Sequence, residues 1–283
     1  MTFKDLLKER LLHDLGFEFY VKAGAPKKTF QIISKDSGIV CGTIFIATIV
    51  KLVDEQFFLE EAIPSLPVAI KIHKSDGDVL KPKDIIATLF GNAEVILKAE
   101  RTILNIISQL SGIATYTQKQ IKKLSSLPVV LIDTRKGDPL FRPEYKYAVS
   151  VGGGRNHRSG FFDGIIIKDN DIAAYGGIKK AIDKYAKTVK SLTKIEIEVQ
   201  TLSQLNEVLK DGRVDVILLD NMPPHMLKKA VSQIRASKKP YLIEASGIAE
   251  YGLAEIAKTG VDLISTSSLF RRAQPLDISL QAV

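Results

Sequence analysis

Several things are scarce in this 283-residue chain: it has no tryptophan, three methionines, four histidines and a single cysteine. With only Cys41 present, an intrachain disulfide framework and a cysteine-based zinc site are both excluded. Cys41 lies inside the apolar run GIVCGTIF and reads as a buried, inert thiol. The longest apolar stretch, Gly38 to Val50, is too short to span a bilayer. The charged amphipathic start, MTFKDLLKERLLHDLG, is not a secretion signal. Proline and glycine are at ordinary levels, so disorder is not the default. The expectation is a soluble, cytoplasmic globular chain with a substantial core.

What the chain does have is positive charge, a formal net of +8. That balance admits nucleic acid, an anionic membrane surface or an anionic metabolite as partner. A basic nucleic-acid-binding protein is one alternative reading. It is disfavoured because aromatic interleaving and a recognisable reader motif are lacking. Neither nucleic acid nor membrane is expected as a partner.

Two grammars follow one another along the chain. Leu6, Leu7, Leu11, Leu12 and Leu15 carry helical spacing and predict a helix over Phe3–Leu15. The runs KTFQIISKDSG, IVCGTIFIATIVKLVD, LPVAIKIHKSDGDVL and IIATLFGNAEVIL are β-rich and cut by turn signals. They predict an antiparallel sheet with helices on one side, and Thr43 to Asp54 suits a helix equally well. Val95 to about Leu124 is helical, with Gly112 marking a break or a close packing point. Beyond it, short continuous apolar runs appear: VVLID (129–133), GIIIKD (164–169), KIEIEVQ (194–200), VDVILLD (214–220), PYLIEASG (240–247) and VDLISTSS (261–268). Helix-like segments separate most of them. That alternation indicates a parallel sheet buried on both faces, in a closed or nearly closed α/β barrel, with an open doubly wound sheet as the alternative.

Every one of these strands exits into polar residues, and in such folds the carboxyl ends of the strands build the site. The early exits are cationic. Between Asp133 and Asn170 lie Arg135, Lys136, Arg155, His157, Arg158 and Lys168, with the triple glycine Gly152–Gly154 among them. Cations beside apolar strands cost desolvation energy unless an anion meets them, and glycine lets backbone approach closely. The later exits carry Glu198 and Asp220, acceptors suited to sugar hydroxyls or a hydrated Mg²⁺. The last two carry Ser246-Gly247 and Ser265–Ser268, where backbone N–H groups can cradle a phosphate. The ligand implied is a small molecule bearing several negative charges.

The segments AERTILNIISQLSGIAT (99–115), DTRK (133–136), KYAVSVGGGRNHR (146–158), IIIKDN (165–170), EIEVQTL (196–202), ILLDNM (217–222), EASG (244–247) and TGVDLIS (259–265) together resemble the nicotinate-nucleotide pyrophosphorylase (carboxylating) family. It is also called the quinolinate phosphoribosyltransferase (decarboxylating) family. The likeness runs over nearly the whole chain. It implies an N-terminal α/β sandwich over residues 1–106, rejoined by 270–283, and a C-terminal incompletely closed α/β barrel of the type II phosphoribosyltransferase kind over 107–269. It implies phosphoribosyl transfer from phosphoribosyl pyrophosphate to quinolinate with decarboxylation, giving nicotinate mononucleotide, pyrophosphate and CO₂, with Mg²⁺. A diverged paralogue acting on another anionic aromatic acid is the alternative within the same fold.

Carried over by position, the resemblance places Arg101, Thr134, Arg135, His157, Arg158 and Lys168 around quinolinate. Lys136, Glu198, Asp220, Ser246, Gly247, Ser265, Thr266 and Ser267 go to phosphoribosyl pyrophosphate. Lys136, Glu198 and Asp220 are its catalytic set, and the two acids are its metal ligands, directly or through water. It implies a homodimer with Arg101 contributed across the interface. The chain departs from the family pattern at Asp138 after DTRK, at Ile248 after EASG, at Asp171 after KDN, and at Ser267, where a glycine is usual.

Overall fold

The computed structural model describes residues 3–15, 25–57, 67–124, 126–247 and 252–283. The chain divides into two compact units, Met1–Tyr116 with Ala273–Val283, and Thr117–Arg272.

The first unit contains α1 (Phe3–Leu15), β1 (Lys27–Ser34), β2 (Gly38–Ile39), α2 (Ile46–Phe57), β3 (Ala69–Ile72), β4 (Val79–Leu80), β5 (Ile85–Asn92) and most of α3 (Ala93–Lys122). The C-terminal strand, Ile278–Ala282, pairs antiparallel with β1 and completes a four-stranded sheet. The order is C-terminal strand, β1, β5, β3, all antiparallel. β1 alternates as half-buried strands do, with Phe30, Ile32 and Ser34 turned inward. The core beneath joins Ile32, Ile86 and Leu89 of the sheet to Ile49 and Val53 of α2 and Ile96, Ile103 and Ile107 of α3.

The β-rich run after Gly38 resolves into a two-residue strand followed by a helix. Ile46, Ile49, Val50, Leu52 and Val53 are buried, whereas Ala47, Lys51 and Glu55 are exposed. That spacing is a helical stripe, and burying it outweighs the modest strand preference of β-branched residues. α3 is continuous over 30 residues, so Gly112 is not a break. A Cβ there would lie 2.2 Å from the carbonyl oxygen of Gln274, which makes it a close packing point.

The second unit alternates strand and helix. Its strands are β6 (Val130–Ile132), β7 (Ile165–Ile167), β8 (Ile195–Val199), β9 (Val216–Asp220), β10 (Leu242–Ser246) and β11 (Leu263–Ser265). Its helices are α4 (Arg142–Val151), α5 (Asp169–Tyr175), α6 (Ile178–Ala186), α7 (Leu202–Asp211), α8 (Pro224–Arg235), α9 (Leu253–Ala257) and α10 (Ser268–Arg271). The sheet order is β6, β11, β10, β9, β8, β7, and every pairing is parallel. β6 thus returns beside β11, as barrel closure requires. Arg155 adds one parallel rung to β6, donating to Leu131 O at 3.0 Å while its carbonyl accepts from Asp133 N at 3.1 Å. Among the described residues no ladder joins this rung to β7, so the barrel is incompletely closed. α7 shows how sharply the local signals act. Thr201 and Gln204 form a reciprocal capping box at its start, and Gly212 ends it at φ 75°. No described helix is long and apolar enough to cross a membrane.

Candidate active site

The exit of β6 turns at once: Lys136 N donates to Thr134 Oγ1 at 3.0 Å, which leaves the Lys136 side chain exposed. Arg135 follows β6 and Arg158 precedes β7, and the two meet at one ring. Their guanidinium carbons lie 4.4 Å and 5.1 Å from the centroid of Phe161. Arg158 also donates from Nη1 to Gly164 O at 2.9 Å. Burial, and then the neighbouring Arg135, hold Arg158 below the ordinary arginine range. The Nε atoms of both arginines are buried with no protein partner. Two like charges packed together with donors unspent are a cost that a bound anion removes.

His157 is gripped from several sides. Its N–H donates to Asp133 Oδ1 at 2.8 Å, and its carbonyl accepts from Lys146 Nζ at 2.8 Å. Asp133 and Lys146 are themselves a buried ion pair at 2.5 Å. The imidazole points into the barrel, with Nε2 3.2 Å from Glu196 Oε2 and 3.4 Å from Glu244 Oε2. Nδ1 accepts the N–H of Arg158 at 2.7 Å. Both ring nitrogens therefore have partners within the protein. Burial works against charge on this ring, but Glu196 and Glu244 outweigh it and push the histidine up to about 10. The Arg158 N–H aimed at Nδ1 opposes a second ring proton there. Burial also raises Glu196, so the ring and the carboxylates against it titrate as one coupled group.

On the opposite exits, Lys168 Nζ donates to Glu198 Oε2 at 2.8 Å. Lys168 N donates to Asp171 Oδ2 at 3.0 Å, and Asp171 Oδ1 accepts from Tyr185 Oη at 2.5 Å. The acid that follows KDN thus fixes the start of α5. Asp220 accepts from Ser246 Oγ at 2.5 Å and from Asn221 Nδ2 at 2.6 Å. Ser246 and Asp220 are partners in the β9–β10 register. Gly247 has φ 71°, and a Cβ on it would fall 2.0 Å from Asn221 Oδ1. Only glycine fits that corner. In the last turn Ser265 is buried, Thr266 N donates to Ile132 O at 3.2 Å, and Thr266 Oγ1 accepts from Ser268 N at 3.1 Å. Ser267 has φ −76° and ψ −9°, a conformation open to any residue, so the backbone there does not require the usual glycine. Asp138 turns its carboxylate onto Leu140 N at 2.8 Å. Ile248 lies outside the described residues.

Thr134, Arg135, Lys136, Lys168, Glu198, Asp220, Ser246, Gly247, Ser265, Thr266 and Ser267 sit at or just past strand carboxyl ends of the second unit, and Arg158 lies in the segment between α4 and β7. Arg101 is an exposed residue of α3 in the first unit. A cavity of about 430 Å³ opens among the strand starts Val130, Lys194, Val216, Leu242 and Leu263, and His157, Arg158, Glu196 and Glu244 also line it. The reading of strand exits counted Asp133 and Glu244 among the polar exits without giving them a role, and it missed Glu196, Lys146 and Phe161. A signal existed for the two glutamates: each stands inside a largely buried strand, IEIEV and LIEAS, where a carboxylate needs a partner.

Two family descriptions match the chain. The quinolinate phosphoribosyl transferase N-terminal domain matches residues 7–111, and the quinolinate phosphoribosyl transferase C-terminal domain matches residues 113–281. A probable nicotinate-nucleotide pyrophosphorylase (carboxylating) of Bacillus subtilis is 37% identical, over 99% of this chain and 93% of its own length. The mitochondrial quinolinate phosphoribosyltransferase (decarboxylating) 2b of Nicotiana tabacum is 34% identical, over 98% of this chain and 81% of its own. The solved nicotinate-nucleotide pyrophosphorylase of Francisella tularensis superposes with a TM-score of 0.86 at 36% identity, covering 99% of this chain and 95% of that one.

Proposed function

The chain belongs to the quinolinate phosphoribosyltransferase family, and on that premise we propose that it is the enzyme that joins quinolinate to phosphoribosyl pyrophosphate with loss of CO₂. The products are nicotinate mononucleotide and pyrophosphate, a step of de novo NAD biosynthesis. The observation that carries this reading for the chain's own residues is the Arg135–Phe161–Arg158 arrangement. Two guanidiniums with unspent buried Nε donors lie against one aromatic ring. A planar aromatic dianion satisfies both charges and both donors.

In this reading Arg135 and Arg158 hold the two carboxylates of quinolinate and set the ring nitrogen toward the sugar. Thr134 adds a hydroxyl donor, and Lys136, exposed beside them, meets both substrates. The ring nitrogen attacks the anomeric carbon as pyrophosphate departs. The sugar becomes cationic at that moment, and Glu198 and Asp220 on adjacent strands stabilise it and hold the ribose hydroxyls. Asp220 is kept in place by Ser246 and Asn221, while Lys168 holds Glu198. Gly247 and the Ser265–Ser267 turn receive the 5′-phosphate. N-alkylation then makes C2 of the ring able to bear negative charge, the 2-carboxylate leaves as CO₂ with its bonding electrons on C2, and C2 takes a proton from water. No covalent enzyme intermediate is needed, so positioning supplies most of the acceleration.

Glu198 and Asp220 are hard oxygen donors on neighbouring exits, which fits Mg²⁺ sharing its ligands with phosphate oxygens and water. When bound there, the ion neutralises charge on the departing pyrophosphate. The active form is a homodimer in which Arg101 completes the site of a second copy. The test is to incubate the purified protein with quinolinate, phosphoribosyl pyrophosphate and Mg²⁺, and to measure nicotinate mononucleotide and CO₂. Equal amounts of both are expected, with no product from nicotinate in a parallel trial. Nicotinate accepted in place of quinolinate would overturn the decarboxylating assignment.

A further inference from the structure

We infer that Glu196 and Glu244 are positioning residues which act through His157 to aim Arg158 at the substrate acid. The inference rests on the proposed function for its kinetic consequence, but its structural core stands by itself.

The chain of contacts has three links. Glu196 Oε2 and Glu244 Oε2 both face Nε2 of His157, at 3.2 Å and 3.4 Å. Carboxylates accept, so the ring proton belongs on Nε2. That choice leaves the lone pair on Nδ1, where the Arg158 N–H arrives at 2.7 Å. The tautomer of His157 therefore fixes the main chain of the next residue, and that residue carries one of the two guanidiniums. A carboxylate that orients a histidine, which in turn orients a working group, is a familiar way of holding a site still.

The surroundings support a built device. Glu244 is 1% and Glu196 5% exposed, so neither is a solvated surface acid. Each has its other oxygen, Oε1, buried without a hydrogen-bond partner in the protein. Two buried acids with unspent oxygens are costly, and the hydrogen bond from His157 Nε2 offsets part of that cost. The same histidine is pinned from the far side by Asp133 and Lys146 through its backbone N–H and carbonyl. Ring and main chain are thus held independently. The other charged groups facing the cluster are Arg155, Arg158, Asp163 and Lys194. Of these, Asp163 is already spent on Ser159 N and Gly160 N.

A divalent cation held by the same three side chains would give similar spacings, since their ligand atoms lie within 4.8 Å of one another. Such an ion would need Nε2 stripped of its proton, and the two readings separate cleanly by experiment.

The first measurement uses the unliganded wild-type protein and ¹⁵N NMR of its histidine rings near neutral pH. The expected result is a protonated Nε2 and an unprotonated Nδ1 for His157. The opposite tautomer, or one metal ion per chain that removes the Nε2 proton, overturns the inference. The second uses Glu244→Gln and Glu196→Gln, which keep size and shape. A glutamine amide can donate to Nε2, so the ring is free to move its proton to Nδ1 and release Arg158. The expected effect is an increase of about tenfold or more in KM for quinolinate, a smaller change in kcat, and no change in KM for phosphoribosyl pyrophosphate. An unchanged KM for quinolinate in folded variants overturns the inference. If the wild-type protein does not turn over quinolinate at all, the proposed function fails while the NMR result remains decisive for the tautomer.

Discussion

At the level of single residues, the site is built from groups that cannot be at ease without a ligand. Arg135 and Arg158 repel one another, yet both are held beside Phe161 with a buried Nε unspent. Arg135→Ala is therefore expected to leave the thermal midpoint unchanged or slightly raised, because relieving like-charge repulsion offsets the lost packing. The same change should lower kcat/KM by about 10²-fold or more, as loss of a charge-assisted two-pronged contact does. Lys136→Ala, at an exposed position, should likewise keep the fold and lose most turnover. Near-normal steady-state rates in either variant would remove these residues from the reaction. The sequence disclosed these cations because charges at strand exits stand out against apolar runs. It disclosed the braces less well. The resemblance puts His157 at the acid, while its contacts with two buried glutamates depend on tertiary packing of β8, β10 and the segment after α4. Ser267, where the family pattern has glycine, has an ordinary φ of −76° and so no backbone demand for glycine, whereas Gly247, at φ 71°, meets a real one.

Among whole elements, the six barrel strands were legible because a strand buried on both faces must be apolar throughout, and such runs are rare by accident. α2 was harder, since β-branched residues also suit strands. Its helical spacing settled the matter only once the sheet beneath was in place. The Arg155 rung was not legible at all: one parallel bridge leaves no periodicity to read. Gly112 was readable as a disturbance in a helical pattern, but which kind of disturbance required the packing. The structure allows a prediction there. Replacing glycine by alanine inside a helix gains up to about 1 kcal/mol in propensity. Against that, the new Cβ would fall 2.2 Å from a backbone oxygen at Gln274 and cannot be accommodated by a side-chain rotation. Overpacking of this kind costs about 1–3 kcal/mol, so the clash wins and Gly112→Ala should lower the urea midpoint. A midpoint at or above wild type would show that the C-terminal segment yields easily.

For the molecule as a whole, the buried His157–Glu196–Glu244 cluster ties stability to pH in a direction that can be worked out. His157 has an unfolded value of 6.5 and is pushed up to about 10 when folded, since its two glutamates outweigh the burial that opposes charge. Glu196 is raised as well, chiefly by burial. Both shifts have the same sign: the folded chain binds more protons than the unfolded one. The histidine-linked stabilisation is therefore fully present below 6.5 and is lost as the pH climbs through about 10. Because only the number of protons matters, this holds whether the proton rests on the ring or on the carboxylate. The acid side has the opposite sign. Asp183 and Asp211 are both lowered by hydrogen bonds from Arg213, so what they contribute is present above their unfolded value of 3.8 and disappears as the pH falls through their folded values. Stability should therefore peak on the mildly acidic side of neutrality. Above the peak it should decline by up to about 1.4 kcal/mol per pH unit, the slope for one linked proton. Urea unfolding at a series of values between about pH 6 and pH 9, below the range where lysines titrate, measures this directly. The decline should be visibly smaller in Glu196→Gln, where half of the carboxylate field on His157 is gone. A wild-type profile that is flat over that range, or an equal slope in the variant, would show that the cluster holds no proton beyond those of the unfolded chain.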